Sequence, residues 1–104
     1  MATATIKLVN AELLGSFFFS ENPIALARKL LSEGYYKVQG TLDVPNLTNG
    51  EDVAEEVFDL TNNPCREDER GESYGRFRSV SVGDIVCVNG IDYLCASIGW
   101  QRLN

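Results

Sequence analysis

Residues 76–103 read RFRSVSVGDIVCVNGIDYLCASIGWQRL, and this stretch decides the fold of the C-terminal half. At its centre, Asn89-Gly90 is the strongest short-range signal for a two-residue hairpin turn. Strand-like sequence also flanks the hairpin, at residues 77–82 and 98–103. A turn at this dipeptide fixes which residues face each other across the two strands. The predicted pairs are Val88 with Ile91, Cys87 with Asp92, Val86 with Tyr93 and Asp84 with Cys95.

Three cysteines bear on the compartment of the protein. Alternation along the hairpin places Cys87 and Cys95 on opposite faces of the ribbon, so we expect no bond between them. With Cys65 the count is odd, and the N-terminus lacks the charged-then-apolar layout of a secretory signal. No apolar run approaches the ~20 residues that span a bilayer. These features predict a cytoplasmic protein that does not bind membranes.

The rest of the chain divides into alternating strands and helices. Asn22 and Pro23 are typical of a helix start, and Gly34 is typical of a helix end. The order of elements predicts a single α+β domain, in which a mainly antiparallel sheet packs one face on two helices. Strands are expected at residues 3–9, 13–19 and 35–44, helices at 23–33 and 51–61, and a surface loop at 62–75.

Composition limits the functions that this chain can perform. Hydrophobic residues make up 44% of the 104 residues, which is typical of one folded domain. The net charge of −6 disfavours nucleic-acid binding and adhesion to anionic lipid, because both need clustered Lys and Arg. The chain has no histidine, which removes Ser-His-Asp and Cys-His nucleophiles and nearly all mixed Cys/His zinc sites. With no glycine-rich phosphate loop either, we expect a non-catalytic protein without metal or cofactor.

An acidic face on the second predicted helix is the main candidate for partner binding. The ~100° step per residue gathers its acids into one arc, while its apolar residues fill the opposite arc. Carboxylates three and four residues apart lie ~5–6 Å apart, close to the spacing of phosphates along a nucleic-acid strand. Such a row would occupy the basic groove of a nucleic-acid enzyme, although a charged outer face is also typical of any surface helix. The acids are Glu51, Asp52, Glu55, Glu56 and Asp59.

A second candidate is a basic and aromatic set that would serve a nucleic-acid-associated module on the sheet. Two arginines flank an aromatic residue at a strand start, an arrangement that meets phosphate or carboxylate. The competing interpretation is that nearby acids neutralise the arginines and that the tryptophan anchors the core. The set is Tyr74, Arg76, Phe77, Arg78 and Trp100.

Two further alternatives stay open. A small carboxylate-based enzyme would use Asp84 or the acids of the 62–75 loop, whereas Asp84 in a Gly-Asp turn more commonly accepts backbone hydrogen bonds. The run Phe17-Phe18-Phe19, if it is a strand, exposes at least one ring. An exposed Phe18 would mark a homodimer or partner interface, and a sheet buried on both faces explains it equally well.

From about Tyr35 onward the chain resembles a loosely defined group of small uncharacterised proteins encoded by phages and plasmids. The matching segments are FDLTNN at 58–63 and RSVSVGDIVCVNGIDYLCASIGW at 78–100, with the element RS-S-GD before the hairpin. The 62–75 loop differs from the group in length and composition, and residues 1–34 do not match it. The resemblance implies an intracellular, phage-encoded accessory protein, and it carries over no catalytic residue.

Together these features predict an accessory protein that is not an enzyme and binds a host or viral protein. Inhibition of that partner through the acidic helix face is the leading hypothesis. Nucleic-acid binding and carboxylate catalysis are the alternatives.

Overall fold

The computed structural model describes residues 2–104, which form one five-stranded antiparallel sheet with helices around it. The strands lie in the spatial order β2-β1-β3-β4-β5, so β2 and β5 are the two edges. The α+β class and the antiparallel sheet are confirmed. The strands are β1 (Ala2–Val9), β2 (Tyr36–Val44), β3 (Ile85–Val88), β4 (Ile91–Cys95) and β5 (Trp100–Arg102).

Four α-helices connect or flank these strands, and asparagine side chains cap two of them. Asn22 accepts a hydrogen bond from the Ala25 amide at 3.1 Å, and Asn49 accepts one from the Glu51 amide at 3.0 Å. Within residues 2–104, no helix has the length and apolar character needed to cross a membrane. The helices are α1 (Leu14–Phe18), α2 (Pro23–Ser32), α3 (Gly50–Asn62) and α4 (Glu67–Ser73), with short 3₁₀ turns at Ala11–Leu13 and Pro64–Arg66.

The predicted hairpin is confirmed in its turn and its register. Asn89 and Gly90 both have positive φ angles, 52° and 81°, as a two-residue turn of this type requires. The Cys95 amide donates to the Asp84 carbonyl at 2.9 Å, which continues the pairing below β3. The strand pairs are Ile85 with Leu94, Val86 with Tyr93, Cys87 with Asp92 and Val88 with Ile91.

Both faces of the sheet carry a packed core, while much of the edge strand β2 stays exposed. On one face, α3 places Val53 and Val57 against a core that includes Ile6 and Val86. On the other face, Leu30 of α2 packs in a second core. The strand residues of this second core are sequence neighbours of those in the first core. That second core is Val9, Phe17, Ala27, Leu30, Ile85, Leu94 and Leu103. In place of the expected single covered face there are therefore two, because successive strand residues such as Ile85 and Val86 point to opposite sides.

The expected strand at 13–19 is wrong, because this segment is helical. The Asn10 side chain accepts from the Glu12 amide at 3.0 Å and starts a 3₁₀ turn that continues into α1. Helical geometry then turns Phe17 into the second core and leaves Phe18 in solvent. Of the three phenylalanines, only Phe17 is buried, because a short helix turns one of these rings toward the core.

Two other sequence expectations are corrected. The 62–75 segment is not a loop: Asn63 caps Pro64–Arg66, and α4 follows with its acids in the first turn and Arg70 in the last. Residues 77–82 do not form a strand. Their backbone is bound by side chains instead, since Tyr74 donates to the Arg78 carbonyl at 2.5 Å and Asn62 donates to the Val80 carbonyl at 2.9 Å.

Candidate functional site

The outer face of α3 carries all five predicted acids. Its inner face is buried at Val53, Ala54, Val57 and Leu60, so the amphipathic partition expected from the sequence is present. Glu51, Asp52 and Glu55 are exposed, and Glu56 and Asp59 are partly exposed. The face therefore points to solvent along the whole helix.

Arg66 interrupts this acidic face. Its NH1 donates to Glu56 at 2.7 Å and to Asp59 at 2.8 Å, and its NH2 donates to Glu56 at 3.0 Å and to Glu69 at 2.8 Å. Its Nε donates to Glu69 at 3.3 Å, so every nitrogen of the guanidinium is engaged. The hydrogen bonds that Arg66 donates to Glu56, Glu69 and Asp59 raise the pKa of Arg66, and the bond it donates to Glu69 lowers the pKa of that carboxyl.

The five acids consequently do not form an uninterrupted row. Glu56 and Asp59 are paired with Arg66, and Glu55 accepts from the Trp100 indole N–H at 2.9 Å. Within residues 2–104, Glu51 and Asp52 make no ion pair. The surface nevertheless stays negative, because one arginine balances only part of the charge of these acids and Glu69.

A shallow depression of about 410 Å³ lies on this face. One apolar side chain, Leu47 from the loop before α3, sits among the carboxylates. The depression can therefore accept a basic side chain whose aliphatic stem needs an apolar contact. It is lined by Leu47, Asp52, Glu55, Glu56 and Asp59.

Three large apolar side chains are strongly exposed at one end of the sheet. Phe18 is 65% exposed, its neighbour Phe19 is 89% exposed, and Ile98 is 92% exposed. Phe18 and Ser97, the residue before Ile98, line the same cleft of about 170 Å³ between α1 and the turn at 96–99. Phe19 and Ile98 each follow a residue that lines this cleft, and exposed apolar side chains around one cleft are typical of an interaction surface.

The turn at 96–99 joins the apolar residues to the acidic face. On its other side, a second cleft of about 230 Å³ is lined by Ser97, Trp100, Phe58 and Glu55. Glu55 lines both this cleft and the acidic depression. The Phe58 and Trp100 rings, which both line the second cleft, meet edge to face with their centroids 6.4 Å apart. We call the whole region the apolar–acidic surface: Phe18, Phe19 and Ile98 with Leu47, Asp52, Glu55, Glu56 and Asp59.

The basic and aromatic set is largely occupied by internal contacts. Arg78 binds Asp84, and Tyr74 is buried with its hydroxyl on the Arg78 carbonyl. Trp100 donates to Glu55 on the α3 side of the sheet. Phe77 is half-exposed against the Tyr74 ring, and Arg76 makes no side-chain hydrogen bond or ion pair within residues 2–104. Within this set, Arg76 and Phe77 are exposed and make no side-chain hydrogen bond in the part of the chain that the structure describes, while Trp100 is partly exposed in the cleft beside Glu55.

The contacts of Asp84, the acid predicted for catalysis, are those of a structural residue. Asp84 is fully buried and accepts from the Val9 and Ser81 amides at 2.9 and 2.7 Å as well as from Arg78. A buried carboxylate whose two oxygens already accept hydrogen bonds from the protein is not accessible to a substrate. Across residues 2–104, no cluster of three metal-ligating side chains is present.

The cysteines are free thiols in three different environments. Cys65 is exposed, Cys87 is partly exposed and Cys95 is buried in the α3-side core. Burial, with Asp84 and then Glu55 nearby, raises the pKa of Cys95 to about 12. Burial and the Asp92 carboxylate also raise the pKa of Cys87. Raised pKa values oppose formation of the reactive thiolate at both positions.

Compared with family models, curated proteins and solved structures, the chain matches none of them.

Proposed function

We propose that this protein is a non-catalytic accessory protein, in the phage setting that the resemblance implies, and that it binds a host or viral protein through the apolar–acidic surface. One observation carries the proposal: clefts that share Ser97 and then Glu55 connect the neighbourhood of the exposed apolar side chains to the acidic face of α3. Protein interfaces combine apolar anchors with a polar rim in this way.

The chemistry of the surface defines the partner. An apolar pocket on the partner would take Ile98 or Phe19, while Lys or Arg residues beside that pocket would meet Asp52 and Glu55. The basic groove of a nucleic-acid enzyme has such residues, and occupying it would exclude the nucleic acid. Inhibition would follow from this competition and needs no catalytic group.

The charge component can be tested with two matched double variants. Glu51→Gln with Asp52→Asn removes two charges from the first turn of α3, at and beside the apolar–acidic surface, and Glu67→Gln with Asp68→Asn removes two from the first turn of α4. We expect the first variant to capture the partner from lysate less well than wild type. The second should capture it as well as wild type. Equal capture by all three proteins would contradict the role of the acidic face.

A further inference from the structure

The edge strand β2 presents a free row of backbone groups. It pairs with β1 on one side, and no other strand pairs with it in residues 2–104. No backbone hydrogen bond from a turn or loop in this range reaches Tyr36–Val44 either. Unpaired backbone groups at a sheet edge are a template for another strand.

The two halves of this edge differ. A bulge near Gln39 interrupts the register with β1, and Lys37 adds a charge beside it. Bulges and lysines are devices that protect sheet edges from association. From Gly40 to Val44 the register is continuous, so this half lacks such protection.

A cleft of about 480 Å³ lies beside the unprotected half. Its floor is apolar, with Leu42 and Val44 from the strand and Val57 and Leu60 from α3. Ser73 of α4 also lines the cleft. The edge of the sheet and the cleft together fit an extended segment, whose backbone would bind β2 and whose alternate side chains would enter the cleft.

The cleft walls are negative. Glu56 and Glu69 line the cleft together with Arg66, whose single positive charge is shared between these two carboxylates and Asp59. Leu42 and Val44 face the α3-side core, so Asp43 between them points to the opposite, open face of the sheet. A strand added here would meet apolar floor on one face and a carboxylate on the other.

We propose that Gly40–Val44 and its cleft bind an extended peptide segment of alternating apolar and basic residues as a sixth strand. The apolar residues enter the cleft over Leu60, and the basic residues lie on the open face beside Asp43. This site adjoins the apolar–acidic surface at Leu47 and Glu56 but does not include the exposed phenylalanines or Ile98, so it provides a second, distinct contact.

The test uses a defined probe and amide NMR. A capped peptide of about ten residues that alternates valine and lysine is titrated into the isotope-labelled protein. We expect amide shifts at 40–47 and 69–73, with slower hydrogen exchange along Gly40–Val44. A peptide with N-methyl groups on alternate residues keeps the side chains but loses strand hydrogen bonds, so it should bind at least about tenfold more weakly.

Charge provides the second arm of the test. A valine–glutamate peptide should not bind, and Asp43→Asn should weaken the lysine peptide about threefold. Glu72→Gln, an equal charge change on α4 outside the cleft lining, should leave binding unchanged. Equal binding of the N-methylated peptide, or no shift at about 1 mM lysine peptide, would overturn the proposal. Shifts confined to Phe18, Phe19, Asp52, Glu55 and Ile98, which lie outside the cleft, would also overturn it while leaving the proposed function intact.

Discussion

Arg78 and Asp84 form a two-point ion pair, with guanidinium–carboxylate distances of 2.7 and 2.9 Å. The same guanidinium donates to the Val9 carbonyl at 2.7 Å, and the Asp84 carboxylate accepts from the Val9 amide at 2.9 Å. The pair therefore holds the end of β1 against the segment that precedes β3. It also gives the RS-S-GD element a structural role, since Ser81 donates its amide to the same carboxylate.

Arg78→Ala should strongly destabilise the fold. The substitution leaves the carboxylate of Asp84, which is 0% exposed, without its cation. Breaking a buried pair from one side destabilises proteins by about 3–5 kcal/mol. Guanidinium denaturation measures this loss, and Arg76→Ala, at an exposed arginine two residues earlier, is the control. Similar unfolding free energies for the two variants would contradict the role of the pair.

Gly83→Ala should destabilise more than Gly99→Ala. Both glycines have positive φ, at 102° and 70°. A Cβ on Gly83 would lie 2.5 Å from the Phe17 ring, whereas a Cβ on Gly99 would meet nothing within 4 Å. Positive φ costs an alanine about 1 kcal/mol at either site and more at the wider φ of Gly83, so the difference in thermal midpoint reports the clash together with that extra strain. Equal midpoints would show that Phe17 does not pack on Gly83.

Alkaline pH should destabilise the protein through Cys95. Its pKa is raised by burial to about 12, so the folded state favours the neutral thiol. That stabilisation is complete below the ordinary thiol pKa of about 8.5 and is lost as pH rises toward the folded value. Tyr36, whose pKa is raised by burial and by Asp84, acts in the same direction.

The measurement is the unfolding free energy in reductant between about pH 8 and pH 11. Cys95→Ala should reduce the slope with pH without abolishing it, because Tyr36 still titrates. A flat profile for the wild type would contradict burial of these groups.

Arg66→Gln should reduce the stability of the fold only slightly while changing the rate of association with a partner. It removes a cation whose partners, Glu56, Asp59 and Glu69, are partly to largely exposed, so we expect a loss of only about 1 kcal/mol. The same change frees Glu56 and Asp59 and makes the apolar–acidic surface more negative. Association with a basic partner should therefore become faster at low salt, as measured by stopped flow. An unchanged association rate would indicate that the partner does not approach this face.

Features set by neighbouring residues were predictable from the sequence. The Asn89-Gly90 turn and the two faces of α3 depend on residues close in the chain, and both are confirmed. The helix at Leu14–Phe18 was missed because a run of phenylalanines favours a strand locally, whereas Asn10 and the packing of Phe17 stabilise a helix.

Features set by distant contacts were not predictable. No spacing pattern in the sequence predicts that Arg66 binds Glu56 ten residues earlier, because the contact depends on the bend between α3 and α4. The residues around Ile98 resemble a strand, so its exposure is not predicted from the sequence. Ile98 is exposed because it lies in a turn. The edge position of β2 follows from the order of strands in the sheet, which hydrophobic patterning does not specify.

Parallel affinity capture from host and infected-cell lysates tests the proposed function most directly, with wild type, Phe19→Ser/Ile98→Ser and Val38→Ser as baits. Val38 is 60% exposed on β2, away from the apolar–acidic surface, and so controls for loss of exposed apolar area. We predict a protein that wild type and Val38→Ser enrich equally and that the double variant loses. An identical set of captured proteins on all three baits would contradict binding through this surface.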